Sequence, residues 1–143
     1  VRARAAELRS LGESKTANIL FTVGLDLRTR ERGVRAFAVH PGVIMTNLSR
    51  HMEEADLIAL NERNPSGEPL VFKSLEQGAA TTVWAASSPH LARRGGIYLE
   101  NCQIAPAAVQ GKGIGVESYA VNPAAAERLW SLSEELVGQS FEF

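Results

Sequence analysis

A chain of 143 residues with a formal net charge of -1 has the size of one domain and can bury roughly two thirds of its unfolded surface. With 45% hydrophobic and 22% charged residues it has a globular composition, and its balanced charge gives no electrostatic bias toward nucleic acid or an anionic membrane. The single cysteine, Cys102, excludes an internal disulfide, and no apolar run approaches the roughly 18 residues of a membrane span or has a signal-peptide layout, so a reducing, cytoplasmic setting is expected.

The first ten residues, VRARAAELRS, are helix-prone by composition, but Gly12 interrupts a continuous helical reading. From Ser14 onward Ala17, Leu20, Phe21, Gly24 and Leu27 recur at helical spacing, RTRER follows, and Gly33 supplies a stop; a helix of about five turns is expected. Ile19 and Val23 lie on its opposite side, so a single core contact would leave apolar surface uncovered. A second packing partner, such as another subunit, is therefore expected.

VRAFAVHPG, residues 34 to 42, is a short apolar run of β-formers ended by His40-Pro41-Gly42 and reads as a buried strand. A polar helical stretch around HMEEADLIAL and the turn-rich NPSGEP follow. Ser74 and Gln77 form a Ser-x-x-Gln capping box ahead of the small-residue helix AATTVWAASS, which Pro89 closes. After ARRGG, the run IYLENC is a second strand, too far from the first for a hairpin, so a helical crossover and parallel pairing are expected. The last helix starts at Asn122 as N-cap with Pro123 in its first position, is expected to bury Leu129, Leu132 and Leu136, and stops at Gly138. Helices alternating with two good strands define an α/β fold, a partial Rossmann-like doubly wound parallel sheet with flanking helices. A two-stranded parallel sheet is marginal alone, which suits part of a larger architecture.

At this point the chain resembles the C-terminal half of a short-chain dehydrogenase/reductase. The resemblance is carried by GESKTANILF, VRAFAVHPGVIMTNL, SLEQGAATTVWAASSP, GGIYLENC and the tail SYAVNPAAAERLWSLSEELVG, which together cover most of residues 12 to 138. The last two stretches look most like the retinol-dehydrogenase-like and WW-domain-oxidoreductase-like branch. Residues 1–143 then form a single domain, with residues 1–10 a divergent N-terminal segment.

What the resemblance implies is a Tyr-x-x-x-Lys helix, in which tyrosine exchanges a proton with the substrate oxygen while the nicotinamide of NAD or NADP exchanges hydride. The lysine holds the nicotinamide ribose, and its charge stabilises the tyrosinate as any nearby cation would. Lys15 matches that lysine, but Leu11 stands at the tyrosine position and has no exchangeable proton; losing such a group commonly removes about 10²- to 10⁴-fold of rate. Pro41, Gly42 and Val43 through Thr46 match the family's Pro-Gly-x-x-x-Thr stretch, whose backbone and threonine meet the nicotinamide carboxamide. The glycine-rich βαβ unit, the acidic residue for the adenosine ribose and the strand bearing the active-site serine have no match here. With Val1 rather than methionine at the start, loss or removal of upstream sequence is expected.

The remaining signals have plainer readings. GKGIG, residues 111–115, lacks the Lys-Ser/Thr ending of a phosphate loop. His40, His51 and His90 are scattered without other ligands at metal spacing, so no metal site is expected. Cys102 reads as a small buried hydrophobe rather than a reactive thiol, Trp84 and Trp130 as core, and the basic residues from Arg28 to Arg35 and at Arg93-Arg94 as solvated surface. Two functions stay open. One is an NAD(P)-dependent oxidoreductase acting on small alcohols or carbonyls, with the rest of the site supplied elsewhere; the other is a non-catalytic remnant or interaction module. In either case the strand at residues 34 to 39 would carry an unpaired edge that a homodimer or larger oligomer could cover.

Overall fold

A computed structural model describes residues 2–45, 54–62, 64, 67–109 and 114–143. The elements run α1 (Arg2–Thr29), β1 (Phe37–His40), α2 (Glu54–Glu62), α3 (Leu75–Ser87), β2 (Ile97–Glu100), β3 (Gln103–Ile104) and α4 (Pro123–Val137). The three strands form one sheet in the order β1-β2-β3, with β1 and β2 parallel, as in a partial Rossmann-like fold. Parallel pairing across the α2 and α3 region bears out the crossover. The third strand is an addition to the expected two: IYLENC leaves the sheet at Glu100, and Asn101 and Cys102 make a two-residue turn with φ of 48° and 55°. Leu99 then faces Ile104 and Glu100 faces Gln103 in an antiparallel hairpin. Positive φ at both turn residues matches the right-handed twist of the flanking strands.

Chain contacts divide into two compact units, Val1–Ala38 with Pro89–Tyr98 and Glu117–Phe143, and Val39–Ser88 with Leu99–Val116. In the first, α1 is a single 28-residue helix that passes through Gly12. The roughly 1 kcal/mol cost of one helical glycine is small beside the propensity of the Ala-, Leu- and Arg-rich flank. After Thr29 the chain tightens into a 3-10 turn and stops at Gly33, whose φ of 76° is the left-handed stop its position implied.

The face of α1 that carries Phe21 and Gly24 meets α4. Helix α4 packs on α1, with Phe21 stacked on Trp130 at 5.4 Å between ring centroids and the Arg28 guanidinium 4.3 Å over the same indole. Gly24 permits this approach: a Cβ there would stand 3.3 Å from the Trp130 ring. Arg28 also grips both carboxylate oxygens of Glu127 at 2.8 and 2.9 Å. On the other side, Val23 is buried beside the Gly96 backbone, so it is not the uncovered residue that helical spacing suggested.

In α4, Asn122 caps the Ala125 N–H at 2.9 Å and Gly138 ends the helix with φ of 67°, as the sequence implied. Its buried residues, however, are Ala126 and Trp130, while Leu132 is 50% and Leu136 77% exposed. The large indole sets the contact line on α1 and rotates the leucines outward. Trp130 Nε1 finds no acceptor among the described residues, since stacking rather than hydrogen bonding places the ring.

In the second unit, α3 begins with the full capping box: the Ser74 hydroxyl oxygen accepts from the Gln77 N–H at 3.2 Å and Gln77 Oε1 accepts from the Ser74 N–H at 2.9 Å. The fully buried Thr81 Oγ1 accepts from the Cys102 N–H at 3.2 Å, tying α3 to the hairpin turn.

Candidate functional site

Lys15 lies on α1 one turn after Leu11, exposed to solvent together with Glu13 and Ser14. Gly12, Thr16, Ala17 and Leu20 share an open groove of the first unit with Tyr119 and Leu129, so the helix stretch bearing Lys15 borders a mainly apolar cleft.

Pro41, Gly42 and Val43 stand together in the second unit, at the C-terminal end of β1. In parallel α/β sheets this is the end where ligands bind. Gly42 has φ of 88°, and its N–H donates to Nδ1 of His40 at 2.7 Å, folding the turn back on the strand end. The Val43 carbonyl accepts from the Lys73 N–H at 2.8 Å, and Ile44 and Lys73 form an isolated parallel bridge. Glycine suits position 42 because its left-handed backbone would strain a side-chain-bearing residue, and the end of the Lys73 side chain lies in the space a Cβ would take. Thr46 lies outside the described residues.

At the end of β2, Asn101 Oδ1 accepts from the Lys73 ammonium at 2.6 Å. Cys102 is exposed, correcting its reading as a buried hydrophobe: the hairpin turn lifts it out of the strand. Glu100 is buried and accepts from the Gly115 N–H at 2.8 Å, so the end of the GKGIG segment is pinned by a carboxylate. Residues 111–113 of that segment lie outside the described residues.

The basic residues at 28 and 35 are not the solvated surface they resembled. Arg35 makes two bonds to Asp26, at 2.9 and 2.7 Å, and donates to the Arg93 carbonyl at 2.9 Å. Asp26 is only 4% exposed, also accepts from the Ala36 N–H, and its hydrogen bond holds the Arg35 guanidinium above its ordinary pKa. Nothing in the local pattern announced this pair, because Asp26 sits one residue from Leu27 in a run that ends in charges. His51 lies outside the described residues, and among them no group of three or more His, Cys, Asp or Glu side chains is placed to hold a metal. No helix among them is long and apolar enough to cross a membrane.

No protein-family model matches the chain. Over 124 residues, 83% of its length, it is 42% identical to a probable oxidoreductase of Streptomyces lividans, and over 131 residues, 92% of its length, 39% identical to retinol dehydrogenase 12 of Mus musculus. A short-chain dehydrogenase/reductase of Penicillium rubens, prx1, is 34% identical over 136 residues. The matches cover 41%, 37% and 39% of those relatives, so the chain spans about two fifths of their length.

Proposed function

We propose that this chain, whose homologues over most of its length are short-chain dehydrogenase/reductases, carries the nicotinamide-side elements of an NAD(P)-dependent oxidoreductase, and that these 143 residues alone do not catalyse hydride transfer. The observation that carries the reading is the Pro41-Gly42-Val43 turn at the C-terminal end of a parallel strand, in a chain that also holds Lys15 four residues after Leu11 on α1. The residues fit such a cofactor: Val43's carbonyl keeps a second lone pair after accepting from Lys73, and the exposed Lys15 ammonium has donors for ribose hydroxyls. When bound, the nicotinamide supplies or accepts the hydride.

In this reading Lys15 orients the ribose, and the backbone from Pro41 to Val43, with Thr46, orients the carboxamide. Leu11 has no proton to deliver to a substrate oxygen, which alone removes about 10²- to 10⁴-fold of rate. The substrates are small alcohols or carbonyls, and a reducing, cytoplasmic setting suits the exposed Cys102 thiol. The partner is a second copy of the chain or a larger oligomer, a reading supported by the position of β1 at one edge of the described sheet, where its outer backbone groups have no strand neighbour.

The test is calorimetric titration of NADH and NADPH into the folded chain, followed by absorbance assays with an aldehyde panel. The expected result is no saturation below about 1 mM and no oxidation of either cofactor above background. Tighter saturable binding accompanied by turnover would overturn the claim of inactivity.

A further inference from the structure

We propose that the Lys73 ammonium is an anion-receiving group beside the Pro41–Val43 turn, taking a phosphate or carboxylate oxygen of a small ligand. The residue is anchored at three levels. Its N–H donates to the Val43 carbonyl at 2.8 Å, its stem fills the space next to Gly42, and its Nζ donates to Asn101 Oδ1 at 2.6 Å. Asn101 is itself held in the left-handed region by the hairpin turn. The charged end is thus placed by two separate turns of the second unit.

The charge left over is what points to a ligand. An ammonium has three donors, and the neutral Asn101 amide takes one of them. Among the described residues no carboxylate pairs with Lys73. The acid on the neighbouring first turn of α3, Glu76, accepts the Ser74 hydroxyl at 2.7 Å instead. Among the described residues the side-chain partner of Lys73 is a neutral amide, so the ammonium's charge is not cancelled there and is left to attract an anion. Its pinned stem also reduces the rotamer entropy lost on binding. Both of its anchors follow strand ends, the Pro41–Val43 turn after β1 and Asn101 after β2, and the C-terminal ends of parallel strands are where ligands bind.

The inference requires neither dinucleotide binding nor turnover. Its test is a two-dimensional amide NMR titration of the folded chain with inorganic pyrophosphate and, separately, with 4-oxopentanoate, following the Gly42 N–H and the Asn101 side-chain amide. At least one probe is expected to give saturable shifts with a dissociation constant on the order of millimolar. Lys73→Met should weaken that binding about tenfold or more, while Lys73→Arg retains it. Asn101→Asp, which puts a carboxylate on the ammonium and leaves the stem in place, should weaken it similarly and guards against misfolding of the methionine variant. A pyrophosphate response alone identifies a phosphate-type ligand; a 4-oxopentanoate response alone identifies a carboxylate ligand. No saturable shift in the parent chain, or binding by Lys73→Met and Asn101→Asp as tight as the parent's, overturns the proposal.

Discussion

Asp26 shows how a single side chain can escape a reading of the sequence and still organise a structure. Its carboxylate is buried against the Arg35 guanidinium and the Ala36 N–H, while Gly95 comes so close that a Cβ there would collide with it. Helical spacing marks Asp26 as one polar position among several, and only the fold reveals that Arg35, nine residues later, returns to it. Asp26→Ala leaves these donors without their acceptor and should cost roughly 1–3 kcal/mol of stability, read as a lower urea midpoint at unchanged slope. Gly42 was legible as a turn glycine by contrast, because it occupies a backbone region that other residues avoid. Cys102 was not, since its exposure depends on the chain turning at Asn101 rather than continuing as a strand.

Among the elements, the ends of helices were the most legible parts of the chain. Capping is local chemistry, and the Ser74–Gln77 box, Asn122, Gly33 and Gly138 all act where their residue types place them. Ser74→Ala should destabilise α3 by about 1 kcal/mol in thermal or denaturant unfolding near neutral pH. A pH dependence accompanies it. The Ser74 hydroxyl holds the Glu76 carboxyl below its ordinary pKa, so this contribution is present above the unfolded-state value and is lost as pH falls through the lowered folded one. The difference between parent and Ser74→Ala chains should therefore shrink in acid; a difference that grows there would contradict the hydroxyl–carboxylate bond. Faces were harder to read than ends. Leu132 and Leu136 share a plausible apolar stripe, yet the burial line of α4 runs through Ala126 and Trp130, because the indole stacks on Phe21 and sits under Arg28. That choice depends on a residue more than a hundred positions away.

For the molecule as a whole, the α/β class and the parallel pairing of the two main strands followed from the alternation of patterns, whereas the short β3 was too brief to announce itself. The same distinction governs assembly. On the face of α1 expected to lie uncovered, Val23 is buried beside the Gly96 backbone rather than exposed, which leaves the edge of β1 as the main reason for self-association. Light scattering coupled to gel filtration should show a dimer or larger species at tens of micromolar, with mass falling on dilution. A folded chain that stays monomeric across that range would remove this reason.

The two indoles give each compact unit its own optical label. Trp130, 6% exposed and in contact with Phe21 and Arg28, belongs to the α1–α4 unit, while the half-buried Trp84 lies on α3 in the other. A chain with either one changed to phenylalanine would emit from a single unit, so coincident or separate fluorescence transitions would reveal whether the two melt as one cooperative body.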